Sequence, residues 1–288
     1  MKTILILGAG GMAGHVVYHH LKETNAYKLI PVCHKEPISK DSILLDIKNT
    51  EQLITIIQNS KPDFVINCIG VLIKGSNNNP ANAIYINAYF PHLLSSLVKK
   101  HATNGKLIHI STDCVFSGKK GFYTPNEEKD ALDVYGMTKN LGELNNNQDL
   151  TIRTSIIGPE LKKQGEGLFH WLFSNSDSNI KGYTKSIWGG ITTLELAKNI
   201  RCLIENPEVG LIQITNGKAI SKFDLLKLIK DIFKLHTQIE PVDGLIVDKS
   251  IIPSNLNTRK PVPEYSEMIL ELFNFMKDHK NLYTQYIS

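Results

Sequence analysis

Tyr135 and Lys139 stand four apart in VYGMTKNLGEL, and Ser111, Thr112 and Asp113 open the run STDCVFSG upstream. Four residues is about one helical turn, so on a helix the phenol and the ammonium share a face. A phenol beside a cation that lowers its pKa can give its proton to a carbonyl oxygen accepting hydride. A hydroxyl at the end of the preceding strand, with Thr112 the choice over Ser111, can hydrogen-bond that same oxygen; alternatively Ser111 and Thr112 serve as turn formers. This chemistry needs a hydride source, and the first fourteen residues supply a candidate site for one.

The chain begins MKTILILGAGGMAG, an apolar strand running into Gly8, Gly11 and Gly14 and then a helical pattern. Glycines let the backbone turn tightly and approach a pyrophosphate, whose charge the helix N-terminus stabilises. The context, strand then glycines then helix, is that of a dinucleotide site. The second strand ends PVCHKE, so His34 and Lys35 occupy the region that reads the ribose 2′ position, with Glu36 just beyond. Cations there favour NADPH, with NADH as the alternative.

The elements that position these residues are legible as an alternation. Apolar runs at 3–7, 28–32, 63–67, 106–110 and 150–158 alternate with helical patterns such as NTEQLITIIQNS and PANAIYINAYFPHLLSSLVKKH. That pattern predicts an α/β fold: a doubly wound, parallel-sheet Rossmann fold that binds NAD(P), carrying a smaller C-terminal α/β substrate-binding lobe. Residues 1–158 form the dinucleotide-binding part, completed by part of 190–216, and residues 159–288 mostly the lobe. Asn49 with Gln52 forms a capping box, Pro80 suits a first helical turn, and Thr192 suits an N-cap. SNNNP at 76–80 and NNN at 145–147 read as loops.

The 288 residues are 42% hydrophobic and 21% charged, with a formal net charge of +4 and no basic stripe. This composition excludes a nucleic-acid binder and suits a small anionic partner. No stretch of eighteen apolar residues occurs, the N-terminal apolar run is too short for a signal peptide, and a cytoplasmic protein without membrane contact is expected. Cys33, Cys68, Cys114 and Cys202 lack metal-ligand spacing; they are expected reduced and mostly buried, with no metal.

GxxGxxG, STDxVFxG and YGxTKxxGE, in this order, resemble the extended short-chain dehydrogenase/reductase superfamily, and within it the dTDP-4-dehydrorhamnose reductase branch. NCIG at 67–70, NAYFPHLL at 87–94, RTSIIG at 153–158 and SNLNTR at 254–259 extend the likeness across nearly the whole chain. The resemblance implies an oxidoreductase that reduces the C4 ketone of a nucleotide-activated 4-keto-6-deoxy sugar for polysaccharide synthesis. It further implies that Thr112 polarises the ketone, Tyr135 donates the proton and Lys139 holds the nicotinamide ribose. Gly8, Gly11, Met12 and Gly14 would cradle the pyrophosphate. Asp46, with Ile47, would contact the adenine region, and Cys68, Ile69 and Gly70 would line the nicotinamide side.

A nucleotide-diphosphate sugar would meet Asp113, Cys114 and Val71, and cations or aromatics from Lys74, Arg153, Lys181, Lys185, Trp188 and Arg259. Lys74 could equally be solvated, and Trp171 and His170 read as packing. Cys114 and Ile156 stand where the branch carries aromatics, and VLIKGSNNNP differs from its usual acidic loop. The substrate is therefore left between a dTDP-4-keto-6-deoxyhexose and a UDP-linked N-acetylhexosamine analogue. A non-catalytic NADP-binding regulatory subunit, or an epimerase or dehydratase of the same superfamily, are the other readings. A homodimer is left open.

Overall fold

The computed structural model describes residues 1–102, 104–255 and 261–287. Seven strands form one sheet: β1 (Lys2–Leu7), β2 (Tyr27–Cys33), β3 (Ile43–Leu44), β4 (Phe64–Asn67), β5 (Lys106–Thr112), β6 (Leu150–Thr154) and β7 (Gly210–Gln213). Their order is β7-β6-β5-β4-β1-β2-β3, and every pairing is parallel. The order reverses between β1 and β4, which opens a crevice at the carboxyl ends of these strands.

Side chains alternate across a strand, and both faces of this sheet are covered. Ile4, Ile6, Ile66, Ile108, Ile110 and Ile152 pack on one side with α1 (Met12–Glu23), a helix at Thr193–Glu205 and another at Tyr265–Asp278. Leu5, Leu7, Val65 and Leu107 pack on the other with α2 (Thr50–Ser60) and α3 (Phe90–His101). Each such side chain, fully buried, contributes about 1.5–3 kcal/mol. That double coverage is why these runs are continuously apolar rather than alternating.

Local signals act as the sequence suggests at several ends. Asn49 accepts from the Gln52 N–H at 3.0 Å, Pro80 opens the short helix Pro80–Ala83, and Thr192 accepts from the Glu195 N–H at 3.1 Å. Two expectations differ. SNNNP is partly helical, because Ile73–Asn78 forms a short helix before the chain restarts at Pro80. Trp171 is 40% exposed, since the helix Leu168–Ser174 turns Phe169 and Leu172 inward instead.

The smaller lobe carries a three-stranded sheet (Ile220–Ser221, Ser186–Trp188, Val247–Asp248) and a two-stranded one (Asn179–Tyr183, Gln238–Val242). The helix Lys222–Phe233 packs beside them. Arg259 and most of SNLNTR lie outside the described residues. Among the described residues no helix is long and apolar enough to cross a membrane.

Candidate active site

The glycine turn is built by its own backbone. Gly8 and Ala9 donate to the Val32 carbonyl at 3.0 and 2.9 Å, and the Gly11 N–H turns back to Gly8 O at 2.9 Å. Gly8 sits at φ +76°, where side chains are strained, and a Cβ there would lie 2.9 Å from Ile69. Gly11 is the N-cap of α1 and offers no side chain, which leaves the first helical N–H groups facing the crevice. Gly14 does not line it: a Cβ would stand 2.2 Å from Gly8 O, so its task is close packing of α1 on the turn rather than cradling a ligand.

A groove of about 730 Å³ runs outward from this turn. Gly8, Gly10 and Gly11 floor it, Cys68, Ile69 and Gly70 close its inner end, and Asp46 and Ile47 line it farther out with His34, Lys35 and Glu36. His34 and Lys35 are exposed there, as a site for an added phosphate requires. The open glycine approach, the free helix terminus and these basic side chains all fit NADP.

A second cavity of about 890 Å³ adjoins the first through Gly10, Gly11, Cys68, Ile69, Gly70, Leu161 and Lys162. It gathers Thr112, Asp113, Cys114, Tyr135 and Lys139, together with Met12, Val71 and Lys74. Thr112 ends β5, where its hydroxyl accepts the Cys114 N–H at 3.1 Å and donates to Asp113 Oδ1 at 3.1 Å. It therefore caps the turn Asp113–Val115 and still faces the cavity. Ser111 is consumed elsewhere, donating to Glu143 Oε1 at 2.7 Å.

Tyr135 and Lys139 ride on α4 (Val134–Leu141), whose N-cap Asp133 accepts the Gly136 N–H at 2.9 Å. Gly136 brings this helix onto the Thr112 turn: a Cβ would stand 2.2 Å from Cys114 O. Asn87, buried in a π-helical turn at Ile84–Tyr89, clamps the cavity wall by bonding both Val71 N and Val71 O at 2.9 Å and Thr138 at 3.3 Å. Such turns recur at functional sites.

The electrostatics correct one expectation. Burial pushes the Tyr135 phenol up, Cys114 adds to that, and a hydrogen bond with Thr112 opposes it. Lys139 does not lower it; its Nζ donates to Ile110 O at 2.7 Å, and burial lowers its own pKa to about 8, with Glu143 acting against burial. The phenol is thus held protonated, the state a proton donor needs before reaction. Burial likewise raises the Asp113 carboxyl and pushes the Cys68 and Cys114 thiols to about 12.

Four substrate expectations fail. Arg153 is fully buried, forming a bidentate pair with Glu143 at 2.9 and 2.7 Å, and Nη1 reaches Gln213 at 2.9 Å. Trp188 is buried against Tyr265, its indole N–H donating to Ser155 Oγ at 2.9 Å. Lys185 pairs with Asp243 at 2.6 Å on the exposed lobe, and Lys181 is also exposed; neither lines the cavity. Residues that line it and were not anticipated include Ser155 just after β6 and, from the Gly- and Lys-rich stretch after residue 158, Glu160, Leu161, Lys162 and Gln164. Glu143 was visible as the last residue of YGMTKNLGE, though not as the partner of Arg153.

A doubly wound parallel sheet with a glycine turn at its switch point and a Thr–Tyr–Lys set at the neighbouring strand end defines a Rossmann-type protein built around a dinucleotide-sized cleft. Within that class the chain matches the family model described as RmlD substrate binding domain over residues 1–273, and it belongs to that family. It is 32% identical over 142 residues to a probable low-salt glycan biosynthesis reductase, Agl14, of Haloferax volcanii, covering 48% of this chain and 46% of that protein. It is 30% identical over 145 residues to a dTDP-4-dehydrorhamnose reductase of Aggregatibacter actinomycetemcomitans, covering 50% of this chain and 46% of the relative. The chain thus spans about half the length of these curated relatives. A solved dTDP-4-dehydrorhamnose reductase from Bacillus anthracis, in complex with NADP, superposes with a TM-score of 0.81 at 23% identity, over 95% of this chain and 99% of the other.

Proposed function

We propose that this protein is an NADPH-dependent reductase that converts the C4 ketone of a nucleotide-activated 4-keto-6-deoxy sugar to a hydroxyl. The observation that carries the reading is the junction of the two cavities, where Thr112, Tyr135 and Lys139 face a cleft continuous with the glycine turn. When bound, the reduced nicotinamide supplies a hydride. The protein's part is to hold the ketone oxygen against the Thr112 and Tyr135 hydroxyls and to deliver the Tyr135 proton as the alkoxide forms. Lys139, on the same face of α4 as Tyr135, binds the nicotinamide ribose.

The support for NADPH over NADH is the His34 and Lys35 pair at the outer end of the groove. Binding of the sugar nucleotide falls to the second cavity, beside Val71, Lys74, Asp113 and Cys114, with the stretch 160–167 on its other side. Its test is NADPH consumption by the purified protein with freshly prepared dTDP-4-keto-6-deoxyhexose and with the UDP-linked 4-keto-6-deoxy-N-acetylhexosamine. Consumption with one of them assigns the substrate class. Tight NADPH binding without turnover on either would overturn the reductase reading.

A further inference from the structure

One buried polar chain takes no part in the chemistry above. His15, in the first turns of α1, is fully buried; its Nδ1 lies 2.7 Å from Gly11 O and its Nε2 lies 3.0 Å from the Tyr283 hydroxyl. A carbonyl oxygen only accepts, so Nδ1 carries the proton and Nε2 accepts from Tyr283. Burial lowers the His15 pKa to about 4, which keeps the ring in this neutral form at pH 7.

Tyr283 follows the turn Lys280–Leu282 and is itself fully buried. Just beyond it, Gln285 Nε2 donates to Glu160 O at 2.6 Å, and the Tyr286 hydroxyl accepts the Glu160 N–H at 3.1 Å. The next residues after Glu160, Leu161 and Lys162, lie against both cavities. One short C-terminal segment therefore grips the glycine turn from below and the loop that faces it.

We propose that His15 and Tyr283 are positioning residues for the cofactor pyrophosphate, setting the orientation of the Gly11–Met12 peptide at the mouth of α1. The peptide is planar, so a carbonyl fixed by the imidazole fixes the Met12 N–H on the opposite side. That N–H is among the first four of the helix, which have no intrahelical acceptor and point toward an anion at the N-terminus. The backbone His15 N–H also reaches Gly11 O, at the longer distance of 3.2 Å, so the ring supplies the shorter restraint. The inference rests on the dinucleotide reading above and adds to it a role for the chain's C-terminal segment.

The test compares NADPH with adenosine 2′-monophosphate, which lacks the pyrophosphate, in fluorescence and calorimetric titrations. For His15→Leu the NADPH Kd should rise on the order of tenfold, while adenosine 2′-monophosphate binding holds within about twofold. His15→Gln, which keeps a donor for Gly11 O, should recover most of the loss. Tyr283→Phe should raise the NADPH Kd about threefold and decides the matter alone where His15→Leu does not fold. An unchanged NADPH Kd, or equal weakening of both ligands, overturns the proposal. A wild-type protein that binds neither ligand overturns the functional reading and this inference with it.

Discussion

Replacing Arg153 by Met removes the guanidinium from a side-chain network that holds the end of α4 against the sheet. Four hydrogen bonds go with it: two to Glu143, one to Gln213 and one to Pro125 O. Glu143 is left buried with Ser111 and with Lys129 at 3.2 Å. Breaking a buried pair on one side costs about 3–5 kcal/mol, a large share of a typical domain's 5–15 kcal/mol. In thermal scans the midpoint should fall roughly 6–20 °C.

The pH dependence sharpens that test. In the wild type burial pushes the Glu143 carboxyl up, but Arg153, Ser111 and Lys129 together outweigh it, and the net pKa is below its ordinary value of 4.5. The Glu143 contribution is thus present above pH 4.5 and is lost as pH falls through the depressed pKa. Without Arg153, burial dominates, the carboxyl rises, and the variant gains relative stability as pH falls. The gap between wild type and Arg153→Met should therefore be widest near pH 7 and shrink toward pH 4. A loss under about 1 kcal/mol, or a gap constant across this range, would refute the reasoning.

Tyr135→Phe should fold and bind NADPH while turnover drops about 10²- to 10⁴-fold, measured as NADPH oxidation; undiminished turnover removes Tyr135 as the proton donor. Neutral replacement of His34 and Lys35 should weaken NADPH binding more than NADH binding in parallel titrations, and equal losses would end the 2′-phosphate argument. Gly14→Ala should destabilise the fold by about 1–3 kcal/mol in urea melts, because its Cβ would meet Gly8 O at 2.2 Å; a neutral effect would show that α1 can shift on the turn.

The sheet was readable because its strands are β-branched runs buried on both faces, with glycine or a capping residue at their ends. The reactive set was readable because strand ends and a four-residue helical spacing fix where Thr112, Tyr135 and Lys139 go. Substrate cations were not, since charge in a sequence does not say which partner neutralises it. Arg153 reads as a phosphate ligand in the sequence, but Glu143, ten residues earlier and just past the end of α4, neutralises it. The helix Tyr265–Asp278 is a part of the fold that the strand–helix alternation of the first half does not reach, although its buried Tyr265, Met268, Ile269, Leu272 and Met276 follow helical spacing.

A buried ion pair is seldom kept for stability, since apolar residues of similar volume can do as well. Its value lies in geometry: a planar guanidinium meets a carboxylate in one orientation, whereas Leu against Met tolerates sliding. Glu143 stands four residues beyond Lys139, one turn further along the chain than the ammonium that must reach the cleft. Its grip on Arg153, in β6, fixes the distal end of α4 relative to the sheet, while Gly136 lets the other end press on the Cys114 carbonyl. Between these two restraints the phenol and the ammonium have little freedom to rotate away from Thr112. The same pair that makes Arg153 useless as a substrate ligand thereby makes it a support for the residues that would do the chemistry.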